Sequence, residues 1–295
     1  MDDHSLTFRL LAILFPISGI VAAGYVYGRK HKPEMAVANR LNMDVFVPAL
    51  VFAAMAGKSF DLLAYAPLAL GGFLVLVACG LLAWPLSRLV GVQPKTLVPP
   101  MLFNNSGNIG LPLAVLAWGE QALPAAVILF MVENTLHFSV GARLLDPQTR
   151  LATLWRIPVV FAAIAGLTVA LAKIPVWQPA LIGIKMLGDV SVPLLLFSLG
   201  VRMTDVTFKE WKVAVGSALL RPLAGMAFAY GVIALLGLQG RDAAMLVVFG
   251  ALPPAVLNFL FAERYKQEPQ RVASIVLIGN LASLILLPLA LALVL

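Results

Sequence analysis

The feature that most constrains this chain is a series of ten long apolar runs, separated by short segments that carry most of its charges. A helix needs about 20 apolar residues to cross the hydrocarbon layer of a membrane. Hydrocarbon offers backbone groups no hydrogen-bond partners, so segments of this kind form helices there. The sequence therefore predicts an all-α membrane protein with ten transmembrane helices. The ten runs are 6–27, 35–56, 67–90, 95–118, 124–144, 155–172, 177–201, 211–236, 243–262 and 271–295.

Composition and charge argue against several classes of protein. The chain is 61% hydrophobic and 12% charged, whereas soluble domains are about 45–50% apolar and about 25% charged. These values argue against a soluble enzyme, a receptor with a large external domain and a nucleic-acid-binding protein. Of the 21 Lys and Arg residues, 14 lie in odd-numbered connections, 3 in even-numbered ones and 4 inside the runs. Because Lys and Arg concentrate in cytoplasmic loops, we expect both termini on the extracytoplasmic side.

A string in the second predicted helix recurs in the seventh. Residues 40–52 and 185–197 are identical at six of thirteen positions, at an offset of 145. The two copies are offset by five helices, an odd number, so they cross the membrane in opposite directions. This pattern predicts an inverted 5+5 repeat, typical of secondary transporters, with its halves at 1–150 and 151–295.

Each copy of the string carries a basic residue and an aspartate one helical turn apart. The pairs are Arg40 with Asp44 and Lys185 with Asp189. Residues four apart lie on the same face of a helix, where opposite charges attract. We expect structural ion pairs here, and an ion or substrate site is the alternative.

The fourth predicted helix is interrupted by residues that do not suit a helix interior. It contains Asn104, Asn105, Asn108, Gly110 and Pro112, all near mid-depth in the membrane. Proline lacks an N–H group and disturbs the preceding turn, and glycine permits non-helical dihedral angles. We expect the helix to open here. Unpaired backbone at this depth is tolerated only where it lines a polar cavity.

The ninth predicted helix is interrupted in a similar place, at Pro253 and Pro254, with Asn258 one turn later. Interrupted helices at corresponding positions of two repeats indicate a transporter binding site. Open helix ends present N–H groups that favour anions, and asparagine adds neutral donors. The pattern favours a substrate site for a carboxylate. The alternative is that proline kinks and asparagine pairs serve only helix packing.

Polar residues in the fifth and tenth predicted helices are candidates for coupling transport to an ion. Glu133 lies at mid-depth with Asn134 beside it and His137 one turn on, and Asn280 follows Asn134 by 146 positions. Ionisable groups inside a membrane are functional candidates. We expect Glu133 to carry a proton, with His137 relaying or sharing it. The alternative is that Glu133 only hydrogen-bonds its neighbours.

Three strings of this chain resemble the auxin efflux carrier family, most closely its bacterial members. They are 105–113, 252–265 and the Leu-Pro pair at 287–288. The resemblance implies a fold like that of bile acid/sodium symporters, with helices 1, 2, 6 and 7 as a scaffold. Helices 3–5 and 8–10 would form a transport domain in which the broken helices 4 and 9 cross. It also implies that Asn105 binds the carboxylate, that the protein is a homodimer, and that it lies in a bacterial inner membrane.

Together these features predict a secondary transporter of a small organic anion, a carboxylate, by alternating access with elevator-like or rocking motion. Its partners would be that substrate and the lipid bilayer, with no nucleic acid. No cofactor or metal site is expected, apart from H⁺ or Na⁺ as coupling ion, with Na⁺ held near Asn105. The alternatives are a sodium-coupled symporter of the same fold and an anion channel or sensor. An intramembrane enzyme is disfavoured because the sequence has no paired core aspartates and no metal-spaced histidines.

Overall fold

The computed structural model of the protein describes residues 6–56, 62–148, 157–205 and 211–295. This described part is all-helical, and its one β-type pairing is an isolated two-residue bridge. We number the helices in chain order and count as one any helix that continues through a π-turn or a single irregular turn. They are α1 (Leu6–His31), α2 (Ala36–Met55), α3 (Leu62–Leu89), α4 (Pro94–Leu102), α5 (Ser106–Trp118), α6 (Glu120–Leu145), α7 (Pro158–Leu171), α8 (Gln178–Arg202), α9 (Trp211–Leu236), α10 (Gly240–Ala251), α11 (Leu257–Arg264) and α12 (Pro269–Ala292).

Seven of the described helices, α1, α2, α3, α6, α8, α9 and α12, are long and apolar enough to cross a membrane. The prediction of an all-helical chain with membrane spans is confirmed. The number of uninterrupted spans is smaller than the ten predicted, for two reasons. The fourth and ninth apolar runs are each divided into two short helices, and α7 has only 14 residues in its described part.

The fourth run opens within the predicted segment, at its N-terminal end. Helix α4 ends at Leu102, and Phe103 and Asn105 have non-helical dihedral angles. A π-helical turn follows at Ser106–Gly110, and Pro112 lies in the first turn of the regular helix after it. Proline suits that position because the first helical N–H groups have no acceptor within the helix. Pro112 therefore begins a helix here and does not mark the opening.

The ninth run opens at its proline pair, as predicted. Helix α10 ends at Ala251, and Leu252 adopts extended dihedral angles. A residue that precedes proline is disfavoured in the helical conformation, because the proline ring clashes with its backbone. Pro253 therefore ends α10, and α11 begins at Leu257.

The helices pack in two groups. In one group α1 packs against α8, and α2 packs against α7 and α8. In the other, α3 packs against α4, α6 and α9, and α12 packs against α9 and α11.

The same kind of close approach occurs twice within the first group. Gly24 of α1 lies against the backbone of Phe197 in α8, and Gly166 of α7 lies against the backbone of Phe52 in α2. A methyl group on Gly24 would come within 2.1 Å of the Phe197 carbonyl oxygen, and one on Gly166 within 3.0 Å of the Phe52 carbonyl oxygen. Phe52 and Phe197 are matching positions of the repeated string.

Candidate functional site

The two helix interruptions meet and bond to each other through their backbones. The N–H of Asn105 donates to the Pro253 carbonyl at 2.7 Å, and the N–H of Ala255 donates to the Phe103 carbonyl at 3.0 Å. This antiparallel bridge, between Asn104 and Pro254, satisfies backbone groups that each open helix leaves unpaired. Residues about 150 positions apart thus form one structural unit.

Asparagine side chains cap the ends of the interrupted helices reciprocally. The Asn104 amide donates to the Phe249 carbonyl in the last turn of α10 at 2.8 Å. The Asn258 amide donates to the Phe103 carbonyl just after α4 at 3.1 Å. The last carbonyls of a helix have no partner within it, so each cap satisfies a group of the opposite interruption. Both asparagine Oδ1 atoms are buried and have no partner among the described residues.

Asn280 of α12 ties the two interruptions together. Its Nδ2 donates to the Pro254 carbonyl at 3.0 Å and to the Val276 carbonyl at 2.7 Å. Its Oδ1 accepts a bond of 2.7 Å from Nδ2 of Asn105. The Asn105 Oδ1 in turn accepts from the Asn108 N–H at 3.3 Å and so caps α5. The amide of Asn105 therefore has a structural task that the family resemblance alone does not indicate.

A cavity with about 720 Å³ of empty space, part of it open to solvent, lies beside the interruptions. It is bounded by α2, α6, α8 and the N-terminal ends of α5 and α11. Among the residues singled out from the sequence, it is lined by Asn104, Asn105, Asn108, Glu133, Asn134 and His137. The half-buried Asn108 side chain has no hydrogen bond to a described residue, so its amide is available to a ligand.

The other predicted site residues lie next to this cavity without lining it. Pro253, Pro254, Asn258 and Asn280 contribute the buried contacts described above. Gly110 lines a smaller cavity between α5 and α10. Pro112 lines a separate cleft between α1, α5 and α8.

Three residues with polar or charged side chains that sequence analysis missed also line the main cavity: Asn39 of α2, and Ser198 and Arg202 of α8. The Ser198 hydroxyl donates to Asn39 Oδ1 at 2.6 Å. Their patterns in the sequence are those of ordinary polar residues near helix ends. Only the antiparallel packing of α2 on α8 brings them together.

Glu133 and His137 form a buried pair in the wall of the cavity. Their Oε1 and Nδ1 atoms are 2.9 Å apart, and the side chains are 4% and 1% exposed. The other oxygen, Glu133 Oε2, accepts from Asn134 at 3.1 Å and from the Ser106 hydroxyl at 3.3 Å. Ser106 was not predicted, and it connects the pair directly to the opened helix.

Aromatic rings fix the orientation of the His137 imidazole. It stacks on Phe103 with centroids 4.1 Å apart and planes 10° apart, and it meets the edge of Phe261 at 4.9 Å. A methyl group at Gly141 would come within 2.7 Å of the Phe103 ring. The Nε2 atom of His137 is buried and has no partner among the described residues.

The two predicted charge pairs differ. Lys185 Nζ lies 3.2 Å from Asp189 Oδ1, as expected, and also 3.3 Å from Oε1 of Glu120, which begins α6. No ion pair joins Arg40 to Asp44, although both residues are described and exposed. The expected contact in the first copy is therefore wrong. An exposed pair four residues apart is worth only about 0.3–0.5 kcal/mol, too little to hold two long side chains together.

One buried cation lies behind the second interruption. Arg221 of α9 is fully buried, and its Nη1 donates to the Gly250 carbonyl near the end of α10. Its Nε and Nη2 have no partner among the described residues. A cation at a helix carboxyl end is stabilised by the helix dipole, so Arg221 supports the end of α10.

Comparison with known proteins finds similarity to membrane transport proteins. A family model described as "Membrane transport protein" matches residues 149–291. "Auxin efflux carrier component 6" of Arabidopsis thaliana is 28% identical over 177 residues, which cover 58% of this chain and 29% of that carrier. The "Uncharacterized transporter MJ1031" of Methanocaldococcus jannaschii is 21% identical over 291 residues, 92% of this chain and 94% of its own. A Rhizobium meliloti protein named "Putative malonate transporter" is 24% identical over 303 residues, 93% of this chain and 92% of its own.

The fold and these matches define an integral membrane transport protein. The second half of the chain matches that family model, and the relatives it resembles bear the names of transporters and not of enzymes. The chain spans less than a third of the length of the plant carrier that it matches, and nearly the whole of the archaeal and bacterial relatives.

Proposed function

We propose that this protein is a secondary transporter that carries a small organic carboxylate across the membrane by alternating access. One observation carries the proposal: two interrupted helices are bonded to each other beside an amide-lined cavity. Interrupted helices of this kind, at corresponding positions of two repeats, typify the binding sites of secondary transporters.

The chemistry around the cavity favours an anion. The N-terminal ends of α5 and α11 both border it, and helix N-termini carry partial positive charge and free N–H groups. Asn108 adds an unbonded amide, and Arg202 lines the wall on α8. A carboxylate fits this set of donors. Asn105 contributes mainly by shaping the interruption, since its amide is bonded to Asn280.

The transport cycle is proposed to use ten spans arranged as an inverted 5+5 repeat. The divided helices α4–α5 and α10–α11 would be the fourth and ninth spans, crossing at the substrate site, and α7 would be the sixth. In the proposed repeat α1 corresponds to α7 and α2 corresponds to α8. The approach of Gly24 in α1 to Phe197 in α8 is then the counterpart of the approach of Gly166 in α7 to Phe52 in α2, and this correspondence supports the repeat.

The motion is proposed to occur between the two packing groups. The scaffold would consist of α1, α2, α7 and α8, and the remaining helices would form a transport domain that moves in an elevator-like or rocking manner. The cavity lies between these groups, since α2 and α8 line one side and α6 the other. By family likeness the protein would be a homodimer in a bacterial inner membrane. The distribution of Lys and Arg predicts that both termini are extracytoplasmic.

A binding assay tests the anion proposal. Purified protein is mixed with acetate, lactate, malonate, succinate or indole-3-acetate, and the thermal shift and calorimetric affinity are measured. We expect at least one carboxylate to bind to the wild type and to bind more weakly to Asn108→Ala. The matched control is Asn42→Ala, because Asn42 is buried in α2 and outside the cavity. Absence of binding across the panel, or equal loss in the control, contradicts the proposal.

Sodium is the second candidate as coupling ion, and one observation favours it. The buried Oδ1 atoms of Asn104 and Asn258 have no donor among the described residues, and amide oxygens are ligands for hard cations. If Na⁺ is coupled, replacing it with choline weakens carboxylate binding in the wild type. Unchanged affinity excludes this candidate.

An anion channel or sensor on the same fold is the remaining alternative. Carriers saturate and exchange substrate across the membrane, whereas a channel gives flux that follows the gradient. Flux measurements on proteoliposomes separate them.

A further inference from the structure

We propose that the Glu133–His137 pair takes up one proton whenever a carboxylate binds, and that Nε2 of His137 is the atom that changes from acceptor to donor. The proposal rests on the proposed transport of a carboxylate through this cavity. It assigns the coupling ion of that site.

The geometry isolates one atom for this role. Glu133 Oε1 lies 2.9 Å from His137 Nδ1, and Oε2 is held by Ser106 and Asn134. Every polar atom of the pair therefore has a partner except Nε2, which has none among the described residues. Stacking on Phe103 holds the plane of the ring and the contact of Nδ1 with Glu133 selects its orientation, so Nε2 keeps a fixed position.

Counting protons leads to the same result for either placement of the shared proton. Before uptake the pair has a net charge of −1: a glutamate carboxylate accepts from Nδ1–H, and Nε2 holds a lone pair. After uptake of one proton from water the pair is neutral overall. It then consists of carboxylate and imidazolium, or of carboxylic acid and neutral imidazole with its proton on Nε2. Nε2–H is present in both forms, so the conclusion does not depend on which one dominates.

The charge change links the proton to the anion. A net charge of −1 in the cavity wall repels a carboxylate, and a neutral pair does not. The new Nε2–H is also a donor that the ligand can use. Binding of the anion and of the proton must therefore strengthen each other, by equal factors.

Other charged groups surround the pair without taking part in the change. Arg202 lines the same cavity from α8, and the buried Arg221 of α9 interacts electrostatically with Glu133. Arginine keeps its charge throughout the range in which histidine titrates, so both shift the midpoint of the pH dependence but not its amplitude. Phe103, Phe261 and the α5 hydroxyl of Ser106 complete the surroundings and carry no charge.

Opposite effects are expected from the two members of the pair. His137→Gln removes Nε2 and with it the donor that the ligand would use, so the anion binds weakly at every pH tested. Glu133→Gln leaves a neutral cavity wall, so the anion binds at alkaline pH as tightly as it binds wild type at acid pH. A purely structural pair would give weaker binding in both variants. His31→Gln is the control, because His31 is exposed and contacts the Tyr27 ring outside the cavity.

The experiment measures the affinity of the tightest-binding panel carboxylate between pH 5 and 9, with Na⁺ held constant. Coupling to one proton lowers the affinity of the wild type about tenfold per pH unit above the midpoint. In weakly buffered solution, a pH-indicator dye should report proton uptake when the anion is added. If the anion binds with no proton uptake and a flat pH profile, the coupling is refuted while the transporter proposal survives.

A measurement without any anion tests the pair independently. In a protein with His4→Gln and His31→Gln, the single ¹⁵N-labelled histidine is observed by NMR over the same pH range. We expect Nε2 to lose its proton as the pH rises, so that Nδ1 is the protonated nitrogen at alkaline pH. An Nε2 that remains protonated, or that does not titrate, overturns the proposal even if no panel anion binds.

Discussion

The contact between Asn105 and Asn280 should stabilise the paired interruptions measurably. Both Nδ2 protons of Asn280 are used by the carbonyls of Pro254 and Val276, so its Oδ1 must face Asn105. Asn280→Ala would leave the Asn105 amide and the Pro254 carbonyl buried without partners. Each such group costs about 1–3 kcal/mol, so we expect a loss of about 2–6 kcal/mol in the free energy of unfolding. At about 2 °C per kcal/mol for a chain of this length, the melting temperature falls by ~4–12 °C.

Asn105→Ala removes the other end of the same contact. It leaves Asn280 Oδ1 unpaired, at about 1–3 kcal/mol, and removes the cap on the Asn108 N–H, at about 1 kcal/mol. The double variant leaves neither the Asn105 amide nor the Asn280 Oδ1 unpaired, because it has lost both. Its cost should therefore fall short of the sum of the two single costs by ~2–6 kcal/mol.

The melting temperatures of the wild type, the two single variants and the double variant are measured by thermal unfolding in detergent, followed by tryptophan fluorescence. Ser283→Ala is the control, because its hydroxyl bonds only the Asn280 carbonyl of its own helix and its loss should cost about 1 kcal/mol or less. The argument fails if the two costs simply add within about 0.5 kcal/mol. It also fails if Asn280→Ala has the same melting temperature as Ser283→Ala.

Three further predictions concern the ligand donor Asn108, the relative motion of α6 and α8, and the orientation of the chain in the membrane. Asn108→Ala should weaken carboxylate binding, measured by calorimetry, by about 10–150-fold, which equals the about 1.5–3 kcal/mol of a hydrogen bond to a charged group. Its melting temperature should stay close to that of the wild type, and an unchanged affinity would place the ligand elsewhere. A bifunctional maleimide joining Glu120→Cys to Lys185→Cys should block uptake by fixing α6 to α8, whereas joining Lys185→Cys to Asp189→Cys within α8 should not; equal uptake in both refutes relative motion of these helices. Green fluorescent protein fused after Leu295 should stay dark, because green fluorescent protein does not fluoresce when it is exported from the cytoplasm. Bright cells would contradict the proposed orientation.

Local sequence signals predicted the helices and the ninth-run opening well. Apolar runs of about 20 residues leave the backbone no alternative to helix in lipid. Pro253 and Pro254 act through their own rings and on the preceding residue, so their effect is visible in the sequence. The sequence also predicted the segment in which the fourth run opens, but not the residue at which α4 ends. That end is set by backbone bonds from Phe103 and Asn105 to residues 150 positions away.

The sequence predicted which residues form the candidate site better than it predicted the contacts that each residue makes. Asparagines near mid-depth signalled a polar cavity, and Glu133 and His137 do form a pair in its wall. The bond between Asn105 and Asn280 spans 175 positions and has no local signature. Lys185 found a second partner in Glu120 for the same reason, because the contact depends on how α6 packs near α8.

Counterflow in proteoliposomes tests the central claim most directly. Vesicles containing the protein are loaded with an unlabelled carboxylate that binds, and a trace of the labelled anion is added outside. A carrier with one site exposed alternately to each side should accumulate the label transiently above its outside concentration, and Asn108→Ala should do so only at higher anion concentrations. Label that merely equilibrates, with no overshoot in the wild type, would contradict alternating access and favour a channel.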